Sequence, residues 1–206
     1  MIRIELKNFK TRAEAPVLNR ELILDPVCVI RTEDNDLASS VLTAMLGMGR
    51  EHSGEILIDG IAVQELILSE PLPRIFGYVF AHGIMLANLS LRENLLLPYK
   101  LIKDNSADDT FEDELAIWME RFELIVDLNL RPSMVKPSVI KILSLIRAML
   151  FNPRILLLDD PYYLLDQKQR RRILTVLSEL RSTQHMLINS SDDDFCIGFA
   201  KHSVEL

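Results

Sequence analysis

The chain has 206 residues, 49% of them hydrophobic, and a formal net charge of −7. That length and apolar share suit one compact domain with a sizeable core and exclude a disordered chain. The acidic balance argues against a nucleic-acid partner, which a basic face would attract; the run Arg170, Arg171, Arg172 reads as a solvated helix face.

Ile2, Ile4 and Leu6 alternate with Arg3, Glu5 and Lys7, the pattern of a half-exposed strand rather than of a signal peptide. Leu22 to Leu24 is a second short strand. Cys28 to Ile30 opens a stretch, CVIRTEDNDLASSVLTAML, that begins as a buried strand and continues with Leu37, Val41, Leu42, Met45 and Leu46 at helical spacing. That helix should end near Gly47 or Gly49. Ser53 to Gly60 reads as a strand with a glycine turn, and Ile75 to Phe80 as another buried strand. From Asp108 to Leu128 the spacing of Phe111, Leu115, Trp118 and Phe122 predicts a helix, with Thr110 and Asp113 resembling a capping box. A second apolar-striped helix spans Ser138 to Phe151 and is stopped by Asn152–Pro153. RILLLDD follows as a buried strand, Gln167 to Arg181 as an amphipathic helix, HMLINSS as a last buried strand, and Phe199 to Leu206 as a closing edge strand. Apolar strands alternating with helices predict a mostly parallel sheet covered on both faces. No apolar run reaches the roughly 18 residues of a membrane span. Cys28 and Cys196 sit in apolar runs and read as buried, reduced thiols.

The strand–turn–helix at residues 28–46 has the order of a phosphate-binding loop, yet residues 31–46 hold neither glycine nor lysine. Glu33, Asp34 and Asp36 stand at the helix start instead. A helix N-terminus favours one anion, so these carboxylates satisfy the anion hole from within, and a nucleoside triphosphate would meet like charge. Asp36 is placed as an N-cap, a role worth about 1 kcal/mol.

Three further stretches resemble the ATP-binding cassette (ABC) transporter nucleotide-binding domain, in the right order over nearly the whole chain: SGEILIDG, then GYVFAHGIMLANLSLRENLLLP at residues 77–98, then RAMLFNPRILLLDDPYYLLD at residues 147–166. The resemblance implies an α/β fold of the P-loop NTPase type. It implies a mostly parallel sheet with an antiparallel N-terminal β part, and a helical subdomain at about residues 84–150 inserted in a RecA-like core, all in one domain spanning 1–206. In that family the phosphate loop reads Gly-x-x-Gly-x-Gly-Lys-Ser-Thr. With its last two positions on Ser39 and Ser40, Thr32, Asn35 and Leu37 replace the glycines and Ala38 the lysine. The Q-loop glutamine falls on Ala81, and the signature Leu-Ser-Gly-Gly-Gln on Val135, Lys136, Pro137, Ser138 and Val139. The switch histidine falls on or near Ser191, and no aromatic at residues 10–20 is available to stack on adenine. Walker B survives best: Asp159 matches the magnesium-holding aspartate, and Asp160 replaces the catalytic glutamate with a side chain one methylene shorter. A displacement of that order can cost about a hundredfold in rate. Both also suit a strand end before a turn, and Asp166, the D-loop match, suits a helix start. Asp192, Asp193 and Asp194 read as a solvated loop rather than a metal site.

These substitutions predict a degenerate subunit with no catalytic residues, no cofactor and no bound metal. If a metal did bind, Ser39 and Asp159 would hold it. The alternative is a weak Mg-ATP binder using Ser39, Asp159 and Asp160; another is a cytosolic interaction module that has left transport. The resemblance implies a transmembrane permease as partner, contacted by His82, Gly83, Ile84, Met85 and Leu86. It also allows a homodimer or a heterodimer with another cassette, and a place on the cytoplasmic face of the membrane. ENLLLP loosely resembles cassettes of lipid and lipoprotein transport.

Overall fold

The computed structural model describes residues 1–48, 52–102, 108–190, 192, 199 and 202–206. Two sheets organise them. The first is antiparallel, in the order β2 (Leu18–Leu24), β1 (Ile2–Lys10), β4 (Ser53–Ile58), β5 (Ile61–Ala62). The second is wholly parallel, in the order β6 (Phe76–Val79), β7 (Ile155–Asp159), β8 (His185–Asn189), β3 (Val27–Arg31), β9 (His202–Glu205). The helices are α1 (Asn35–Ala44), α2 (Val63–Ser69), α3 (Leu72–Ile75), α4 (Leu91–Ile102), α5 (Asp108–Arg121), α6 (Pro137–Met149) and α7 (Gln167–Leu180). Among the described residues no helix is long and apolar enough to cross a membrane.

Because side chains alternate along a strand, the parallel sheet divides the interior in two. Cys28, Ile30, Ile155, Leu157 and Leu187 face a core shared with α1 and the antiparallel sheet. Val27, Val29, Leu156, Leu158, Met186 and Ile188 face a second core built with α4, α5, α6 and α7. The expected fold class is therefore observed, with buried strands that read as continuous apolar runs because both faces are covered.

Several local expectations change. The helix over 108–128 stops at Arg121: Glu123 takes a left-handed conformation (φ 50°), with Glu123 N bonded to Glu120 O and Leu124 N to Met119 O. This is a Schellman stop without the glycine that usually announces it. Thr110 lies inside that helix, and its hydroxyl meets the Tyr99 hydroxyl at 3.3 Å rather than forming a capping box. The chain after the stop is used elsewhere, since Leu128 O and Leu130 O accept from Arg92 N and Leu91 N at the head of α4. Ile75 belongs to α3, so the strand there begins at Phe76. At the end of α1, Gly47 (φ 70°) makes the expected turn, whereas Gly49 and Cys196 lie outside the described residues. The arginine run is partly engaged: Arg170 pairs with Asp192, and Arg172 with Glu123.

Candidate functional site: an altered nucleotide cleft

The loop between β3 and α1 sits where the parallel strands end, the usual ligand position of such sheets. Its N-cap is Asp34, not Asp36: Asp34 Oδ1 accepts from Asp36 N at 3.0 Å and Leu37 N at 3.2 Å. Thr32 Oγ1 in turn accepts from Asp34 N at 3.1 Å. The correction has a simple cause. The helix starts at Asn35, so a side chain that reaches its second and third amides must come from the residue before it. A carboxylate of the chain itself therefore accepts from the first amides of α1.

Beside this loop is a cavity of about 590 Å³, lined by Thr11, Arg12 and Pro16 from one side and by Glu33, Asp34, Asp36, Leu37 and Ser40 from the other, with Glu205 at its margin. Among the described residues that line it, Arg12 is the one cation. Ala38, at the position of the missing lysine, lies on α1 and is fully buried in the core.

At the opposite corner, Ser39 Oγ donates to Asp159 Oδ1 at 2.8 Å. Two residues not anticipated complete it. Asn189 Nδ2 donates to the same Oδ1 at 2.8 Å, and the Tyr78 hydroxyl to Asp159 Oδ2 at 3.5 Å. Burial first, and the Asp159 charge second, push the Tyr78 phenol far above its usual range, so it stays a donor. Asp160 follows at φ 40°, its N–H bonded to Asn189 O at 2.8 Å. Asn189 was legible as a polar residue ending an apolar strand, whereas nothing in the sequence ties Tyr78 to Asp159.

The remaining motif positions serve the fold. Ala81 is half-buried in a turn. Pro137 opens α6, with Lys136 as its N-cap, and the buried Ser138 Oγ accepts from Gln169 Nε2 at 3.2 Å. Asp166 caps α7 in a reciprocal box with Gln169. Val135 and Val139 are half-buried; Ser191, Asp193 and Asp194 lie outside the described residues.

The segment after β6 is closely held. Asn94 is buried and accepts from Leu86 N at 2.6 Å while donating to Leu86 O, Leu89 O and Ser90 O. Arg147 donates to Ile84 O at 2.8 Å. Ile84 (49% exposed) and Leu86 (48%) face outward, Met85 packs against the core, and the exposed His82 ring meets Tyr163 edge-on at 4.8 Å.

Residues 38–163, more than half of the chain, match the family described as ABC transporter. The chain belongs to the ABC transporter family. The ABC match begins at Ala38, inside α1 and past the turn that follows β3. A molybdenum import ATP-binding protein, ModC, of Paramagnetospirillum magneticum is 30% identical over 69% of this chain and 39% of its own length. A macrolide export ATP-binding/permease protein, MacB, of Bordetella avium is 26% identical over 81% of this chain and 26% of its own. The chain thus spans well under half the length of these relatives. Two dimeric structures of the MJ0796 ABC cassette superpose with TM-scores of 0.84 and 0.83 at 19% identity, covering 100% of this chain and 94% of theirs; the second is a post-hydrolysis state bound to ADP and Pi. They show the fold.

The expectation of no cofactor is corrected by these findings. The family's relatives are named ATP-binding proteins, one cassette of this fold holds ADP and Pi, and the cleft here retains a volume in the range of small-molecule sites. The residues fit Mg-ATP unevenly. The hydroxyl–carboxylate pair Ser39–Asp159 suits a hard divalent cation. The phosphate end does not match, because Asp34 already takes the amides of Asp36 and Leu37.

Proposed function

We propose that this chain is an ATP-binding subunit of an ABC transporter that docks on a membrane permease and does not turn ATP over. It holds Mg-ATP weakly, through the corner that remains. The observation that carries this is the contrast within one cleft: the Ser39–Asp159 pair stands at 2.8 Å while Asp34 covers the helix-terminal amides. A bound magnesium ion would supply charge to offset the carboxylates around it. Asp159 and Ser39 would hold it, Asn189 and Tyr78 would keep Asp159 oriented, and Arg12 would meet the anionic ligand at the cavity's far side. Asp160 has a shorter reach than the family's glutamate and a left-handed backbone, which supports loss of hydrolysis.

Docking is assigned to His82, Gly83, Ile84, Met85 and Leu86, part of a helical subdomain inserted at about residues 84–150 of the single cassette. Exposed Ile84 and Leu86 on a segment fixed by Asn94 and Arg147 support this reading. The subunit then lies on the cytoplasmic face of the membrane, alone, as a homodimer or beside another cassette. A lipid or lipoprotein cargo rests only on the short ENLLLP run.

Two experiments test the proposal. Calorimetry with Mg-ATP should give Mg-dependent binding in the millimolar range and turnover no greater than a protein-free blank; turnover abolished by Asp160→Asn would refute it. Tagging the chain in its native host and purifying it in mild detergent should bring a polytopic permease with it. Recovery of soluble proteins alone would favour an interaction module outside transport.

A further inference from the structure

Lys141 is 1% exposed on α6, and among the described residues it forms no ion pair. Its ammonium instead donates to two backbone carbonyls, Phe80 O at 2.8 Å and Asp159 O at 2.9 Å. The first follows the end of β6 and the second ends β7, its parallel neighbour. Each also begins a functional stretch. Phe80 O accepts Gly83 N at 2.9 Å, closing the turn into residues 82–86, and Asp159 O belongs to the peptide that leads into the left-handed Asp160. Gly83 packs directly on the same residue: a Cβ there would lie 2.9 Å from Lys141 Cα and 3.0 Å from its N, so only glycine permits the approach.

We propose that Lys141 is a positioning residue, a two-point staple that makes the 82–86 segment and the Asp159 corner ride on α6 as one rigid unit. The functional meaning of that unit rests on the reading of residues 82–86 as the docking segment; the staple itself does not. Burying an ammonium is unfavourable, and the two carbonyls it bonds offset that cost. A residue kept only for packing would be replaced by Lys141→Met, of similar length, without local loosening. A staple would be lost by it, because methionine offers neither carbonyl a donor and leaves both without one there. The two roles predict different local effects.

The test uses the isolated chain, without permease or nucleotide, so its outcome is independent of the transport reading. In Lys141→Met the melting temperature should fall, because two buried carbonyls lose their donor. Amide exchange should meanwhile quicken about tenfold in residues 81–86 and 160–163 together, with β8 and α7 unchanged. Unchanged exchange in either stretch, or acceleration spread evenly over the chain, overturns the proposal. Should that variant not fold, wild-type protein decides: the Lys141 ammonium protons and the amides of Gly83 and Asp160 should exchange through one shared opening, with protection equal within about threefold. Protection factors that differ by an order of magnitude overturn it as well.

Discussion

Two loops at the ends of parallel strands are held differently. After β3, the turn into α1 has neither glycine nor lysine, and Asp34 accepts from two amides of the helix start. After β6, the chain into α4 carries Gly83, Asn94 and the run Ser90-Leu91-Arg92-Glu93. The difference lies in the partners. In the second loop they belong to the chain: Asn94 closes four bonds around residues 86–90, and Ser90 and Glu93 form a reciprocal cap, Ser90 N to Glu93 Oε2 at 2.7 Å and Glu93 N to Ser90 Oγ at 3.2 Å. In the first, a single carboxylate, that of Asp34, closes two bonds. Motifs that hold the chain together and motifs that hold a ligand look alike in sequence and differ in what their loss does.

That contrast predicts unequal responses. Asn94→Ala should show the largest effect. It removes four bonds from a buried site and should cost about 3 kcal/mol by denaturant unfolding; a loss under about 1 kcal/mol would mean the second loop is no better tied than the first. Asp34→Ala should act with opposite signs on two readouts. It should lower stability by about 1 kcal/mol through the lost cap, yet tighten Mg-ATP binding several-fold by freeing the amides of Asp36 and Leu37. Weaker binding in that variant would show that the carboxylate serves the ligand rather than replacing it.

Smaller effects come from sites remote from both loops and act as controls. His185 begins β8 with Nδ1 buried and unpartnered, and burial holds its pKa below the usual 6.5. Its contribution to stability is therefore present above that value and lost as pH falls through it, because the unfolded chain takes the proton more readily. Melting temperature should decline between pH 7 and 5 less steeply in His185→Gln than in wild type, with no change in exchange at residues 80–90. Smallest of all, the buried Cys28 thiol is pushed up to about 11 by burial. In a Cys196→Ser background it should ignore thiol reagents at pH 8 until the chain unfolds.

The layout of strands and helices was legible because β3, β6, β7 and β8 of the parallel sheet are largely apolar on both faces and the longer helices carry one stripe. Boundaries failed where backbone geometry overrode residue type, as at Glu123, a left-handed helix stop built without glycine. In the cleft, the absence of glycine and lysine could be read directly, but not which carboxylate caps the helix: Asp34 and Asp36 differ only in where the first helical turn begins. Lys141 left a readable trace that went unused. It is the one charged residue on a helix face otherwise made of Ser138, Ile142, Leu145 and Met149, and an isolated charge in such a stripe implies a built partner. Its partners are carbonyls of distant strands, which no local pattern announces.

The clasp on α4 has a practical side. Leu128 and Leu130 hold the amides of Leu91 and Arg92 through main-chain oxygens alone, while Ile125, three residues earlier, is 99% exposed. The side chain at that position is free to vary while the clasp stays closed. A cysteine introduced there, in place of Cys28 and Cys196, would carry a fluorophore on the outer surface of the helical segment and report its movements from a position that bears no part of the machinery.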